Sequence, residues 1–240
     1  MKITAIGDIH GIDIWKKIVE TERDSDQIVF VGDYLDSFHV PSKTQVKNFL
    51  QILDFKRKNP DKITLLLGNH DFHYLPEANG ERYSGYNPIT QLQVGELLRE
   101  AWQKNDFTLI KNSYFFYPPD QELPDDKVFI RFSHAGCTDT WIQSWEHEEF
   151  DIFPQYFYFK FGKRTSLNGD DITQSPFWVR PRSLLADASG VCTQVVGHTV
   201  QERLHKAVSA HGTDVWFIDT LETSGEYLVI QDDEFIIKKA

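Results

Sequence analysis

Residues 3–11 read ITAIGDIHG, and four later stretches repeat the form: IVFVGDYLD at 28–36, ITLLLGNHD at 63–71, VFIRFSHAG at 128–136 and VVGHT at 195–199. Each begins as a short apolar run rich in β-branched residues, the composition of a buried strand, and passes directly into Asp, Asn or His. The polar residues therefore stand at strand ends. In an open α/β sheet, ligands bind in the crevice beyond the carboxyl ends of the strands. Five segments far apart in sequence are thus expected to deliver side chains to one edge.

Those side chains are Asp8, His10, Asp33, Asn69, His134 and His198. Two carboxylates, an amide oxygen and three imidazoles make a mixed oxygen and nitrogen donor set suited to Mn, Fe or Zn. One ion does not need six ligands. A pair about 3.5–4 Å apart, bridged by one carboxylate, would use them all and would clamp the attacking and departing oxygens of a displacement at phosphorus. Each residue has a bland rival: an Asp after Gly can cap the next helix, and a lone His is more often a core residue. The ordered repetition favours ligation.

Between the motifs the pattern turns helical. Residues 11–22 place Ile14, Trp15, Ile18 and Val19 on one face, and residues 43–58 do the same with Val46, Phe49, Leu50 and Leu53. Ser42 and Gln45 fit a capping box for the second. Asn87 and Pro88 read as cap and first position of a helix running to Trp102, with Ile89, Leu92, Leu98 and Trp102 inward. The first half reads βαβαβα over a largely parallel sheet. Strands are expected at 113–117, 127–133, 192–197 and 214–219, and a hairpin at 226–231 and 234–238 turning at Asp232 and Asp233. The fold class is α/β with a strand-rich second half.

At 240 residues and a net charge of −11, the chain reads as one domain over 1–240, with a charge that disfavours the backbone of duplex nucleic acid. No apolar run approaches a membrane span, and a core strand from Ile3 leaves no place for a signal peptide. Cys137 and Cys192 make no disulfide framework. A cytoplasmic enzyme is the expectation; oligomeric state is not encoded.

GDIHG, GDYLD, GNHD, SHAG and VVGHT, in this order and spacing, resemble the calcineurin-like metallophosphoesterases. The form is most similar to the phosphoprotein phosphatase branch, which includes small bacterial and phage serine/threonine phosphatases and symmetrical dinucleoside tetraphosphatases. The resemblance runs from Gly7 to about Asp219. It implies a four-layer α-β-β-α sandwich of two mixed sheets flanked by helices. It also implies two divalent ions (Mn, Fe, Zn or Ni, with Mn expected to support activity): Asp8 and His10 on the first, Asp33 bridging, and Asn69, His134 and His198 on the second. A hydroxide shared by the ions would attack phosphorus; His70 would act as general acid, oriented by Asp36. Asn69 and Arg180 would contact substrate.

The chain departs from that pattern at one point. The branch usually carries Arg directly after the second Asp of the second motif, as a phosphate anchor; here Asp36 is followed by Ser37. Trp178-Val179-Arg180 matches the context of a second phosphate-binding Arg, with Arg182 as its neighbouring rival. Ser37 offers either a hydroxyl to phosphate or ordinary turn chemistry. Residues 72–87 suit a loop over the metals, where Tyr83 and Tyr86 either stack on substrate or pack the loop down. Residues 150–161, FDIFPQYFYFKF, read as core, a wall beside the site or a partner surface. His39, His73, His147, His205 and His211 match no motif position, and Cys137 reads as a packed thiol that could sit near the metals. A phosphomonoesterase acting on protein or small-molecule phosphates is the leading expectation. A dinucleoside polyphosphate hydrolase or phosphodiesterase, and a non-catalytic scaffold, are the alternatives.

Overall fold

The computed structural model describes residues 1–114, 129–146 and 170–240. The expected aromatic segment 150–161, His147 and the end of the strand expected at 113–117 lie outside them.

Strands β1 (Lys2–Ile6), β2 (Gln27–Phe30), β3 (Ile63–Leu66) and β4 (Phe107–Thr108) lie parallel and in sequence order. The hairpin of β10 (Glu226–Gln231) and β11 (Glu234–Lys239) adds to the far side of β1, giving a six-stranded sheet ordered β11-β10-β1-β2-β3-β4. Its turn falls on Asp232 and Asp233, both with positive φ (50° and 66°), as a two-residue I′ turn demands. The second sheet joins β5 (Ile110–Tyr114), β6 (Phe129–Ser133), β7 (Cys192–Val196), β8 (His205–Val208) and β9 (Asp214–Phe217) in the order β5-β6-β7-β9-β8, with parallel pairs β6–β7 and β7–β9. Sequence reading missed β8, an exposed edge strand, HKAV, with no apolar alternation to betray it.

The period of two along each strand assigns its side chains to layers. Ala5, Val29, Val31, Leu66, Phe132, Val195, Trp216 and Leu228 meet between the two sheets. Their neighbours Ile6, Ile28, Phe30, Leu65 and Val229 face away, against Trp15, Ile18, Phe49, Ile52 and Leu98 of the helices α1 (Trp15–Thr21), α2 (Ser42–Lys58) and α4 (Pro88–Gln103). On the outer face of the second sheet, Val196, Val215 and Phe217 pack on Leu184 of α6 (Pro181–Asp187). Two further helices are α3 (Asn69–Phe72) and α5 (Asp139–Glu146). The result is two mixed sheets face to face, flanked by helices.

Local expectations fared unevenly. Asn87 caps α4 as expected, its Oδ1 accepting from the Ile89 N–H at 2.8 Å. The phase differs, however: Thr90, Val94, Leu98 and Ala101 are buried, whereas Ile89 and Leu92 face water, Leu92 at 88% exposure. The buried stripe steps by four, four and three residues, and Gly95 sits where a larger side chain would meet Tyr74 and Gln91. The Ser42–Gln45 capping box does not form. Gln45 instead reaches back past Pro41, accepting from the Ser37 N–H and donating to the Ser37 and Val40 carbonyls. The helix expected from residue 11 starts at Trp15, since Asn48 Nδ2 draws the Ile12 carbonyl into a turn. Leu50, expected inward, is 39% exposed, while Asn48 and Ile52 are buried.

Candidate metal centre

Each predicted ligand stands one to four residues past a strand end. Asp8 and His10 follow β1, Asp33 follows β2, Asn69 opens α3 after β3, His134 follows β6 and His198 follows β7. Hydrogen bonds stitch these turns together. Ile9 N and His10 N donate to the Asp33 carbonyl, Gly197 N to that of His134, and Ile218 N to that of Val196. His10, Asp33, Asp36 and His198 all have positive φ, between 41° and 65°, a conformation that costs non-glycine residues about 1–3 kcal/mol and gathers at functional sites. The left-handed step turns each side chain off its strand direction and into the cleft.

Among the described residues three groups of potential ligands have donor atoms within 4.8 Å of one another: Asp36–His70–His73, and the pair formed by Asp8–His10–Asp33 and Asp33–His134–His198. Asp33 belongs to both. Asn69 joins the second, its Oδ1 lying 2.9 Å from His134 Nε2 and 3.0 Å from His198 Nδ1. Backbone contacts set the histidine tautomers: His10 Nδ1 lies 2.7 Å from the Leu35 carbonyl and His134 Nδ1 2.9 Å from that of Val31. With a proton on Nδ1, each presents a lone pair from Nε2. His134 Nε2 then faces two further acceptors, Asn69 Oδ1 and, at 3.3 Å, Asp33 Oδ2. Deprotonated at Nε2, His134 would bring its lone pair among these oxygens, an arrangement that a cation would satisfy, and among the described residues His198 Nε2 is a buried nitrogen with no hydrogen-bond partner. The residues present fit a pair of divalent ions.

The electrostatics agree. Burial pushes the Asp8 carboxyl well above its ordinary range, aided by Asp219 and Asp33. Burial acts the same way on Asp33, yet His134, His70 and His10 around it hold this carboxyl well below that range. Burial, reinforced by His134 and Arg180, keeps His198 neutral and so able to ligate.

Beside the bridge lies a second network. His70 Nδ1 is 3.0 Å from Asp36 Oδ2, the pairing the resemblance implies. Sequence reasoning missed what holds Asp36. Tyr74 donates its hydroxyl to Oδ1 at 2.5 Å, and fully buried His73 puts Nε2 2.6 Å from Oδ2. The Tyr83 N–H donates to His73 Nδ1, which leaves the His73 proton on the nitrogen facing Asp36. Burial tends to lower the His70 pKa, but Asp33 and the Asp36 hydrogen bond outweigh it and raise the imidazole to about 9. Asp71, equally overlooked, accepts from Tyr34 N and Gly68 N and fixes the turn that carries Asn69. The short spacing His70, Asp71, His73, Tyr74 was the only sequence signal for this network.

Arg180 is half-buried at the cap of α6; its Nη1 donates to the Thr199 hydroxyl at 3.1 Å and to the His198 carbonyl at 3.4 Å. Arg182 is 90% exposed and faces Asp170, away from the ligands. Ser37 accepts from the His39 and Val40 N–H groups in a turn, so its hydroxyl serves the backbone. Tyr83 stacks on His73 and meets Trp178 edge-on, while Tyr86 stacks on Tyr74; both pack the 72–87 loop down onto the network. His39, His205 and His211 are exposed. Cys137 is buried in the helical core, its thiol pushed up by burial to about 11, and belongs to none of the three ligand groups.

The chain is 25% identical over 183 residues to the serine/threonine-protein phosphatase 4 catalytic subunit of Saccharomyces cerevisiae, covering 68% of this chain and 56% of that protein. It is 31% identical over 178 residues to the Eremothecium gossypii subunit of the same name, covering 67% and 55%. It thus spans about half the length of these curated relatives. Among solved structures, the cold-active protein-tyrosine phosphatase of a psychrophilic Shewanella superposes with a TM-score of 0.59 at 16% identity, covering 98% of this chain and 77% of that one. A protein serine/threonine phosphatase from Saccharomyces cerevisiae does so with a TM-score of 0.53 at 13% identity, covering 100% and 80%. These likenesses show the fold. The sequence model of the calcineurin-like phosphoesterases matches residues 1–202, and the chain belongs to that family.

Proposed function

We propose that the chain is a metal-dependent phosphomonoesterase acting on phosphorylated proteins or small molecules. The observation that carries this is Asp33, one carboxylate shared by two ligand groups, with the His70–Asp36 pair beside it. In this reading Asp8 and His10 hold one ion, Asn69, His134 and His198 the other, and Asp33 both. Bound ions, of which Mn²⁺ is the one expected to support turnover, supply Lewis acidity at phosphorus and lower the pKa of water into the neutral range.

The chain's own groups do the rest. His70, protonated at neutral pH and anchored through Nδ1, carries a proton on Nε2 for the departing oxygen. Asp36, held by His70, His73 and Tyr74, keeps the imidazole oriented and charged. Arg180 presents a planar fork to phosphate oxygens from beside His198, and Asn69 contacts substrate through its amide. The names of the curated relatives favour a phosphoprotein substrate. We place the enzyme in the cytoplasm as a single domain over residues 1–240. Its two free buried cysteines suit a reducing compartment, and no helix among the described residues is long and apolar enough to cross a membrane.

One observation favours a second reading, cleavage of a dinucleoside polyphosphate or phosphodiester. Ser37 stands where a second phosphate-binding Arg would stand, and its hydroxyl is committed to a turn. The test is to reload metal-stripped protein with Mn²⁺ and compare p-nitrophenyl phosphate with its bis ester, using Asp33→Asn as the blank. Monoester preference is expected. Diester preference supports the second reading, and activity on neither ester or on a dinucleoside polyphosphate, with both ions bound, supports a non-catalytic scaffold.

A further inference from the structure

The five motif strands are not the only ones that end in a polar residue at this edge. Strand β9 (Asp214–Phe217) pairs parallel to β7 and runs on through Ile218 to Asp219, an apolar run passing into a carboxylate like the others. Its end packs tightly against the end of β1: a Cβ on Gly7 would lie 2.2 Å from the Ile218 carbonyl oxygen and 3.3 Å from the Asp219 Cα. Asp219 is 5% exposed, and its Oδ2 is buried with no hydrogen-bond partner among the described residues. Among charged neighbours it is Asp219 that acts most strongly on Asp8, and His10 that acts most strongly on Asp219.

A buried carboxylate oxygen without a donor is costly unless something cationic meets it. The imidazole that acts on it most strongly is His10, whose Nδ1 is occupied by the Leu35 carbonyl. The Asp219 backbone lies against Gly7, one residue before Asp8, so this unpartnered oxygen belongs to the strand end next to the one that carries Asp8 and His10.

We propose that Asp219 is a seventh residue of the metal centre, whose carboxylate faces the ion held by Asp8, His10 and Asp33 and raises the affinity of that site. The inference rests on the two-metal reading above. It makes the two sites unequal: the Asp8–His10 end gains an extra negative charge, and the Asn69–His134–His198 end does not. Without a cation, the same carboxylate is a burden, since burial pushes it up to about 6 and Asp33 adds to the effect against the pull of His10.

The experiment is Mn²⁺ titration of chelator-stripped protein by calorimetry and electron paramagnetic resonance, comparing wild type, Asp219→Asn, His10→Ala and Glu222→Gln. Wild type should bind two ions. Asp219→Asn should weaken one binding step by about 10–100-fold, the step that His10→Ala removes, and leave the other unchanged. Glu222→Gln, an exposed carboxylate change near Asp219, should leave both steps unchanged. Metal-free Asp219→Asn at pH 8 should melt no lower than wild type, because it deletes a buried charge; a residue serving only the fold would lower the melting temperature. Unchanged affinities, or equal weakening of both steps, would overturn the inference. A wild type that binds no pair of ions would overturn the two-metal reading itself, a separate and distinguishable failure.

Discussion

His70 carries the most informative charge in the site. Burial alone would leave it neutral at pH 7, and Asp33 and Asp36, with a smaller contribution from Asp71, raise it to about 9. In the metal-free protein the protonated imidazole therefore stabilises the fold fully below about pH 6.5, and that contribution fades as pH rises through 9. A 2.5-unit shift sets an upper bound of ~3 kcal/mol. Denaturant titrations of stripped protein at pH 6, 7.5 and 9.5 should show this decline, and His70→Asn should flatten it. With ions loaded, the same variant should keep both metals and lose roughly 10²–10⁴ in rate on alkyl phosphates, less on a nitrophenyl ester whose leaving group needs no proton. Equal losses on both would contradict the general-acid role. Arg180→Ala should chiefly raise KM and weaken inhibition by free phosphate; phosphate inhibition at the wild-type level would take the clamp away from Arg180.

The ligands sit on strand ends that approach one another more closely than side chains allow. A Cβ on Gly197 would fall 2.0 Å from Asp8 Oδ1, and one on Gly68 would fall 2.1 Å from Asp33 Oδ1. These two glycines are sites of close approach, where a carboxylate lies directly over backbone. Gly197→Ala should push Asp8 from its place and weaken Mn²⁺ binding by about 10–100-fold, while circular dichroism shows the same helix and strand content. Wild-type affinity in that variant would mean that Asp8 holds no ion. Among the helices, apolar spacing located α2 and α4 and the inward Phe49, Leu53 and Leu98 correctly, yet it also placed Leu50, Ile89 and Leu92 inward, where the structure exposes them. Periodicity gives the axis of a stripe, and which side chains enter the core depends on what the neighbouring helix and loop leave room for.

For the molecule as a whole, the centre concentrates Asp8, Asp33, Asp71 and Asp219, all buried, in a chain of net charge −11. Cations that bind only the folded state should stabilise it by about 2.7 kcal/mol per site at a hundredfold excess over Kd. Chelation should accordingly lower the melting temperature, and Mn²⁺ should restore it; a melting temperature indifferent to both would mean that the centre binds no cation in the folded state. The sequence by itself revealed the βαβαβα succession of the first half, its largely parallel strands and the six candidate ligands, while the His70–Asp36 pair was legible only through the family resemblance. That information is local, because an apolar run and the polar residue directly after it share one strand end. Only the tertiary structure decided that His73 and Tyr74 hold Asp36, that Gln45 ties down the Ser37 turn, that Arg182 points away and that Asp219 is buried with an unpartnered oxygen beside the end of β1. Those contacts join residues whose spacing carries no period, and they exist only once strands distant in sequence lie side by side.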